Sequence, residues 1–274
     1  VKKVRKDSYA HPSYVKVPGT LIDCIVLEPD QSMTFISHYE EALVSRTAEY
    51  AKEQLKLEGI KKVIARRAAM ELEYGNYVNL GYGMPDGVPI VIQQSNQLDK
   101  ITFMIEQGQI DGVITTGLNF GAMYNPAAII DDGYQFDQFH GGILDVCFLG
   151  FAQLDREGNI NSSRFGKVLT GCGGFIDISQ PTKKVVFCGS FATKSDIHVG
   201  EEGLKITYPG KHIKLVNQVD QITFNGSASK QKDQKVVYVT ERAVFELTEQ
   251  GITLKEIAPG VDLERDILPF MEFS

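Results

Sequence analysis

The chain of 274 residues is 43% hydrophobic and 23% charged, with a formal net charge of −7, the composition of an ordinary soluble globule able to bury one substantial core. No basic run is dense enough to follow a phosphate backbone, so nucleic acid is not an expected partner. Lys2, Lys3, Arg5 and Lys6 cluster at the start without a following apolar stretch and read as a solvated arm, not a signal peptide or membrane anchor.

In chain order, residues 1–37 carry Pro12, Pro18, Gly19 and Pro29 around one alternating segment, 21–27, and read as a tether with a strand in it. Apolar residues then recur at helical spacing over 38–57 and 59–74 among good helix formers, which predicts two helices separated near Gly59. Short apolar runs follow at 77–80, 101–105, 113–116, 144–150, 185–188, 236–239 and 243–247. So many strands require a sheet covered on both faces, and their density after Gly141 favours a mixed sheet: an α/β fold of three layers, α/β/α. Residues 262–270 read as a terminal helix whose leading carboxylates suit its dipole. The four cysteines, Cys24, Cys147, Cys172 and Cys188, lie far apart with no Cys-x-x-Cys pair. That argues against a metal site or redox dithiol and for a reducing cytoplasm, with Cys147 and Cys188 as buried small hydrophobes.

Four segments could carry chemistry. Glu106 closes the run 101–105 and opens into Gln107-Gly108-Gln109-Ile110-Asp111-Gly112, which puts a carboxylate at the carboxyl end of a strand, where open α/β sheets hold their sites. A solvated strand end would look the same. Asn79-Leu80-Gly81-Tyr82-Gly83-Met84-Pro85 runs a strand into a glycine-rich turn that would let backbone approach a ligand, or is a plain tight turn. Pro85 replaces the third glycine of a dinucleotide fingerprint. In Gly171-Cys172-Gly173-Gly174 small residues could aim N–H groups at an anion, but the Gly-Lys-Ser/Thr ending of a nucleotide loop is missing. The polar stretch 154–163 is a fourth candidate, or merely caps a turn.

Taken together these segments resemble the second, beta-type half of a family I coenzyme A transferase, of the single-chain acetate or short-chain acyl-CoA:acetate kind. The resemblance runs from about Tyr14 to Phe273. It rests on the four segments, on Gln138-Phe139-His140-Gly141-Gly142-Ile143-Leu144-Asp145, on 149–155 with Gly158-Asn159-Ile160-Asn161, and on the tail 257–267. It implies a sugar-phosphate isomerase-like architecture over residues 38–274, with 1–37 leading in from a preceding half. It implies Glu106 as the nucleophile that accepts the acyl group, Asn79 as an active-site residue, and Gly174 as a backbone N–H donor to the oxyanion. Gly81, Gly83, Gln107, Gly108, Asn161 and Gly173 become candidates for contact with substrate or coenzyme A.

The resemblance further implies no permanently bound cofactor, coenzyme A as substrate, a missing alpha-type half and a homo-oligomer. The absence of an initiating Met points the same way, to a piece of a longer polypeptide. Asp111-Gly112 stands where relatives often read Gly-Gly, and the extra carboxylate is expected to narrow the acyl pocket or raise the pKa of Glu106. An acyl-CoA hydrolase and a non-catalytic assembly subunit are the alternatives, while sugar-phosphate isomerases and deaminases would need hydroxyl or basic residues that 171–174 lacks.

Overall fold

The computed structural model describes residues 1–4, 11–51 and 56–273. Arg5 and Lys6 of the basic cluster and residues 52–55 of the first expected helix lie outside the described residues.

Seven strands form the central sheet: β1 (Tyr77–Leu80), β2 (Thr102–Phe103), β3 (Val146–Gly150), β4 (Lys184–Cys188), β5 (Lys235–Val239), β6 (Ala243–Thr248) and β7 (Gly251–Ile257). Their order is β2-β1-β3-β4-β5-β6-β7. The first five are parallel and the last two antiparallel, so the sheet is mixed as expected. The chain leaves β1 toward β2 on one side and returns to β3 on the other. The crevice between β1 and β3 is therefore the point where strand order reverses, the place at which such sheets bind ligands beyond their carboxyl ends.

Side-chain alternation along each strand sorts residues between two cores. Val78, Leu80, Val146, Phe148, Val186 and Val237 meet Ile64, Ala65 and Ala68 of helix α1 (Gly59–Ala69) and Val88, Ile90 and Ile92 of α2 (Gly87–Gln94). Cys147, Leu149, Val185, Phe187 and Tyr238 face the other way, against Phe139 of α3 (Asp132–His140) and Phe175 and Ile178 of α4 (Phe175–Ser179). Cys147 and Cys188 are buried as the sequence suggests, and burial pushes the Cys147 thiol up to about 12.

Several expected elements differ. Residues 38–51 form no helix beyond a 3-10 turn at Glu41–Leu43. Their carbonyls are taken by another part of the chain: Ala42 O by Asn125 N (2.6 Å), Leu43 O by Gln109 Nε2 (2.6 Å) and Ala48 O by Asn125 Nδ2 (3.0 Å). Residues 21–27 form no strand: the Val1 amine donates to Val26 O (2.9 Å) and Glu28 N–H to Val1 O (2.8 Å), but no ladder with a described segment forms, and a strand exists only as part of one. The run 101–105 shortens to β2, and Val113–Ile114 pairs with Met123–Tyr124 outside the sheet. The terminal segment is a wide π-type turn, Leu263–Ile267, followed by the 3-10 turn Leu268–Phe270. Pro269 has no N–H with which to continue an α-helix.

Candidate active site

Glu106 follows β2 in a tight turn. Gly108 N–H donates to Ile105 O (3.1 Å) and Ile105 N–H to Gln109 O (3.2 Å). Gly108 has φ +88, and a Cβ there would lie 1.9 Å from the carbonyl oxygen of Ile130. The position admits only glycine. Ile130 N–H in turn donates to Gly108 O (2.9 Å), and Gln109–Ile110 pairs with Ala128–Ile129. The buried Gln109 side chain donates to Leu43 O (2.6 Å) and Met123 O (3.2 Å) and accepts from Met123 N–H (2.6 Å). The turn is thus clamped on two sides before any ligand is considered.

Asn79 is the one polar side chain of β1 on the face that carries α3 and α4. It is fully buried. Its Nδ2 donates to Met104 O at 3.0 Å and lies 3.5 Å from Glu106 Oε2, while its Oδ1 has no hydrogen-bond partner. A buried carbonyl oxygen left unpaired costs free energy unless a ligand donor completes it. Gly174 caps α4 from the third side. A Cβ on it would stand 3.3 Å from Glu106 Cγ and 3.2 Å from Phe136 Cζ, so a hydrogen is what lets α4 approach the carboxylate. The exposed pair His140 Nε2 and Asp177 Oδ1, 2.8 Å apart, ties α3 to α4.

Burial raises the Glu106 carboxyl above its ordinary range, opposed by its own backbone N–H and by Asn79. Asp111 has no part in this shift. It is exposed, with φ +55, a left-handed conformation that Asp tolerates better than most residues and glycine best of all. The expected like-charge repulsion from Asp111 is thus absent from the causes of the Glu106 shift.

The other predicted residues separate. Gly81 lies at the reversal crevice, its N–H donating to Phe148 O (2.7 Å), with room for a Cβ only 3.1 Å from Leu149 Cδ2. Gly83 (φ +96) and Gly173 (φ +52) need positive φ but face open space. Gln107 is exposed, its amide against Gly121. Asn161 is fully buried and donates to Gln153 Oε1 (2.7 Å) and Arg164 O (2.8 Å) while accepting from Ser163 N–H (3.2 Å) and Arg164 N–H (3.0 Å). Nothing is left over for a ligand. Asp155 likewise holds its own turn through the N–H groups of Glu157 (3.1 Å) and Asn159 (3.0 Å).

Beside Gly81 and Phe175 a cavity of about 420 Å³ opens over the carboxyl ends of β3 and β4, lined also by Tyr82, Ser162 and Lys214. Lys214 was not singled out in the sequence. The signal was a cation set in Ile213-Lys214-Leu215-Val216, an otherwise apolar run. Glu241 and Arg242, both fully buried, were missed too; a charged pair between two strand-like runs reads as a solvated turn. Among the described residues no group of three or more His, Cys, Asp or Glu side chains could hold a metal ion.

A carboxylate of raised basicity, beside an amide donor and a gap kept open by glycine, has the makings of a nucleophile toward a carbonyl carbon. No protein-family model matches the chain. It is 42% identical over 273 residues to the caffeate CoA-transferase of Acetobacterium woodii, covering 96% of this chain and 52% of that protein. To the acetate CoA-transferase YdiF of Escherichia coli O157:H7 it is 39% identical over 278 residues, covering all of this chain and 52% of the relative. The crystal structure of YdiF in its thioester complex with CoA superposes with a TM-score of 0.87 at 37% identity, over all of this chain and 51% of that one. The acetate CoA-transferase subunit beta of Haemophilus influenzae is 32% identical over 213 residues, 74% of this chain and 86% of that subunit. The chain thus spans about half the length of the first two relatives and most of the third.

Proposed function

The chain belongs to the family I coenzyme A transferases, as a beta-type half, and from that premise we propose that it transfers coenzyme A between a short-chain acyl-CoA and a carboxylic acid through Glu106. One observation carries the reading: Asn79, Glu106 and Gly174, spread over 95 positions of sequence, converge at the carboxyl edge of the sheet, with Asn79 Nδ2 3.5 Å from Glu106 Oε2 and Gly174 so close that a Cβ on it would stand 3.3 Å from Glu106 Cγ.

In this reading the Glu106 carboxylate attacks the acyl carbonyl, giving a mixed anhydride and coenzyme A thiolate. The thiolate then attacks the glutamyl carbonyl, giving a glutamyl-CoA thioester and releasing the first acid. An incoming carboxylate reverses both steps, so the thioester's free energy is conserved. Each attack passes through a tetrahedral oxyanion. Gly174 N–H and Asn79 Nδ2 are the donors we assign to it, each contributing about 3 kcal/mol. Asn79 Oδ1, without a hydrogen-bond partner among the described residues, is free to accept from the substrate. Gly81, Gly83, Gln107 and Gly173 form the open rim on which coenzyme A would lie. Coenzyme A is substrate here, and the chemistry calls for no resident cofactor.

Residues 38–274 make up the transferase domain in this proposal, and 1–37 lead in from an alpha-type half that completes the site, the whole assembling as a homo-oligomer. No helix among the described residues is long and apolar enough to cross a membrane, and four free cysteines, two of them exposed, suit a reducing cytoplasm.

The test is mass spectrometry of the full-length protein incubated with acetyl-CoA and no acceptor. A coenzyme A adduct is expected on the peptide containing Glu106, absent from Glu106→Ala, whose exchange activity falls by at least about 10³-fold. Full exchange by Glu106→Ala would end the proposal, and hydrolysis without a trapped thioester would replace it with a hydrolase.

A further inference from the structure

Among the described residues the 420 Å³ cavity beside Gly81 and Phe175 is lined by one cation, Lys214, and nothing in the chemistry above uses it. Lys214 is 7% exposed. Its backbone is fixed, Lys214 O accepting from Leu154 N–H at 2.8 Å, next to the ladder that Leu215–Val216 makes with Gln153–Asp155. Its Nζ rests 4.3 Å from the centroid of the Phe151 ring and hydrogen-bonds no described residue. Phe151 can lie there only because residue 189 is glycine: a Cβ on Gly189 would stand 2.6 Å from the ring. The ammonium therefore ends in the cavity with its donors unspent, a costly arrangement for a buried charge.

The walls say what could use those donors. Tyr82, Met84, Leu149, Phe165 and Phe175 are apolar or aromatic, a surface suited to hydrocarbon. A pyrophosphate would bring two charges to a single amine, with no arginine on the wall to share them, and is a poor fit. A single carboxylate or hydroxyl at the end of an apolar arm fits well. The cavity runs from Gly81 and Tyr82, just past β1, and from Phe175, next to Gly174, across the ends of β3 and β4, which lie two and three strands from β2 or about 10–14 Å at ordinary strand spacing. That separation places the reacting carbonyl at one end of a ligand and Lys214 at the other.

We propose that this cavity is the acyl chamber and that Lys214 is its specificity residue, receiving a carboxylate oxygen at the far end of the acyl group. The inference rests on the transferase reading for the identity of the ligand, though not for the existence of the site. Burial lowers the Lys214 ammonium to about 8, offset in part by the Glu241 carboxylate. The titratable and charged groups around it are Glu241, with Arg242 behind, and Tyr82, with the Cys188 thiol on the cavity wall. The site is accordingly cationic at pH 7 and loses its charge as pH rises past about 8.

The experiment uses the full-length protein with matched acyl-CoA pairs: succinyl and butyryl, adipoyl and hexanoyl, suberoyl and octanoyl. The parent should favour one of the carboxylated members by kcat/KM. In Lys214→Met the ratio for that pair should drop about 10-fold or more, the effect of one charge-assisted hydrogen bond, and Lys214→Arg should recover part of it. The parent's preference should also fade above pH 8. Calorimetric binding of free adipate against hexanoate reads the same contrast without turnover. An equal loss on both members of every pair, or a parent that discriminates in neither assay, overturns the proposal. Absence of exchange and of thioester with every acyl-CoA would remove the transferase reading instead, with adipate binding still deciding whether Lys214 holds a carboxylate.

Discussion

Glu106 shows how one residue can be costly to the fold and useful to the chemistry. Its carboxyl is held above the ordinary value of 4.5 by burial, so the folded chain binds that proton more tightly than the unfolded chain does. Below the ordinary value both states are protonated and the site is neutral to stability. As pH climbs through the raised native pKa, the folded state must ionise a desolvated group and loses stability. Glu106→Gln, which cannot ionise, should therefore melt higher than the parent at pH 7 and no higher at about pH 4; identical melting at both would show that burial does not act on the carboxylate. The same residue was readable in the sequence as a strand-end carboxylate. Its partner Asn79 was named from the family resemblance, and the structure sets it on the opposite face of β1 from Val78 and Leu80. The unspent Oδ1 was not legible, because satisfaction is a property of neighbours.

Among the elements, the turn that carries Glu106 is defined by what surrounds it. Gly108→Ala would drive a methyl into the Ile130 carbonyl, 1.9 Å away, at φ +88. We expect a loss of about 3 kcal/mol or more, with exchange activity lost alongside. Gly173→Ala, also at positive φ (+52) but with nothing within 4 Å, should cost only about 1–2 kcal/mol. Denaturant midpoints of the two variants separate crowding from backbone strain, and equal costs would refute the distinction. Sequence periodicity found the parallel strands because each is buried on both faces and rich in Val, Phe and Cys. It missed α2, whose Gly87-Val88-Pro89-Ile90-Val91-Ile92 start looks like a breaker, although proline is tolerated in a first helical turn. It missed β7 because an edge strand half in water carries polar residues, and it misread 38–51, whose carbonyls are taken by Gln109 and Asn125.

The carboxyl edge of the sheet gathers Asn79, Glu106 and Gly174, the reversal crevice and the cavity that holds Lys214 on one side. Tyr14, Leu21, Val26 and Phe35 stand exposed along the leading segment, and the chain is about half as long as two of its relatives. If an alpha-type half completes the site, the 274-residue chain alone should retain less than about 1% of the exchange of the full-length protein, since positioning of both substrates is lost. Adding the alpha-type half in trans should recover it. Full activity of the isolated chain would show that one half suffices.

The α/β class, the mixed sheet and a carboxylate at the end of a strand were legible in the amino-acid sequence, because these rest on local properties, alternation and apolar runs; the role given to Glu106 came from the family resemblance. Only the tertiary structure placed Gly174 against Glu106, spent Asn161 on its own turn, turned Asp111 to water and set the Lys214 ammonium over Phe151 at the wall of a cavity. Each of those depends on which distant atoms arrive within a few ångströms, and spacing along a chain does not encode such a distance.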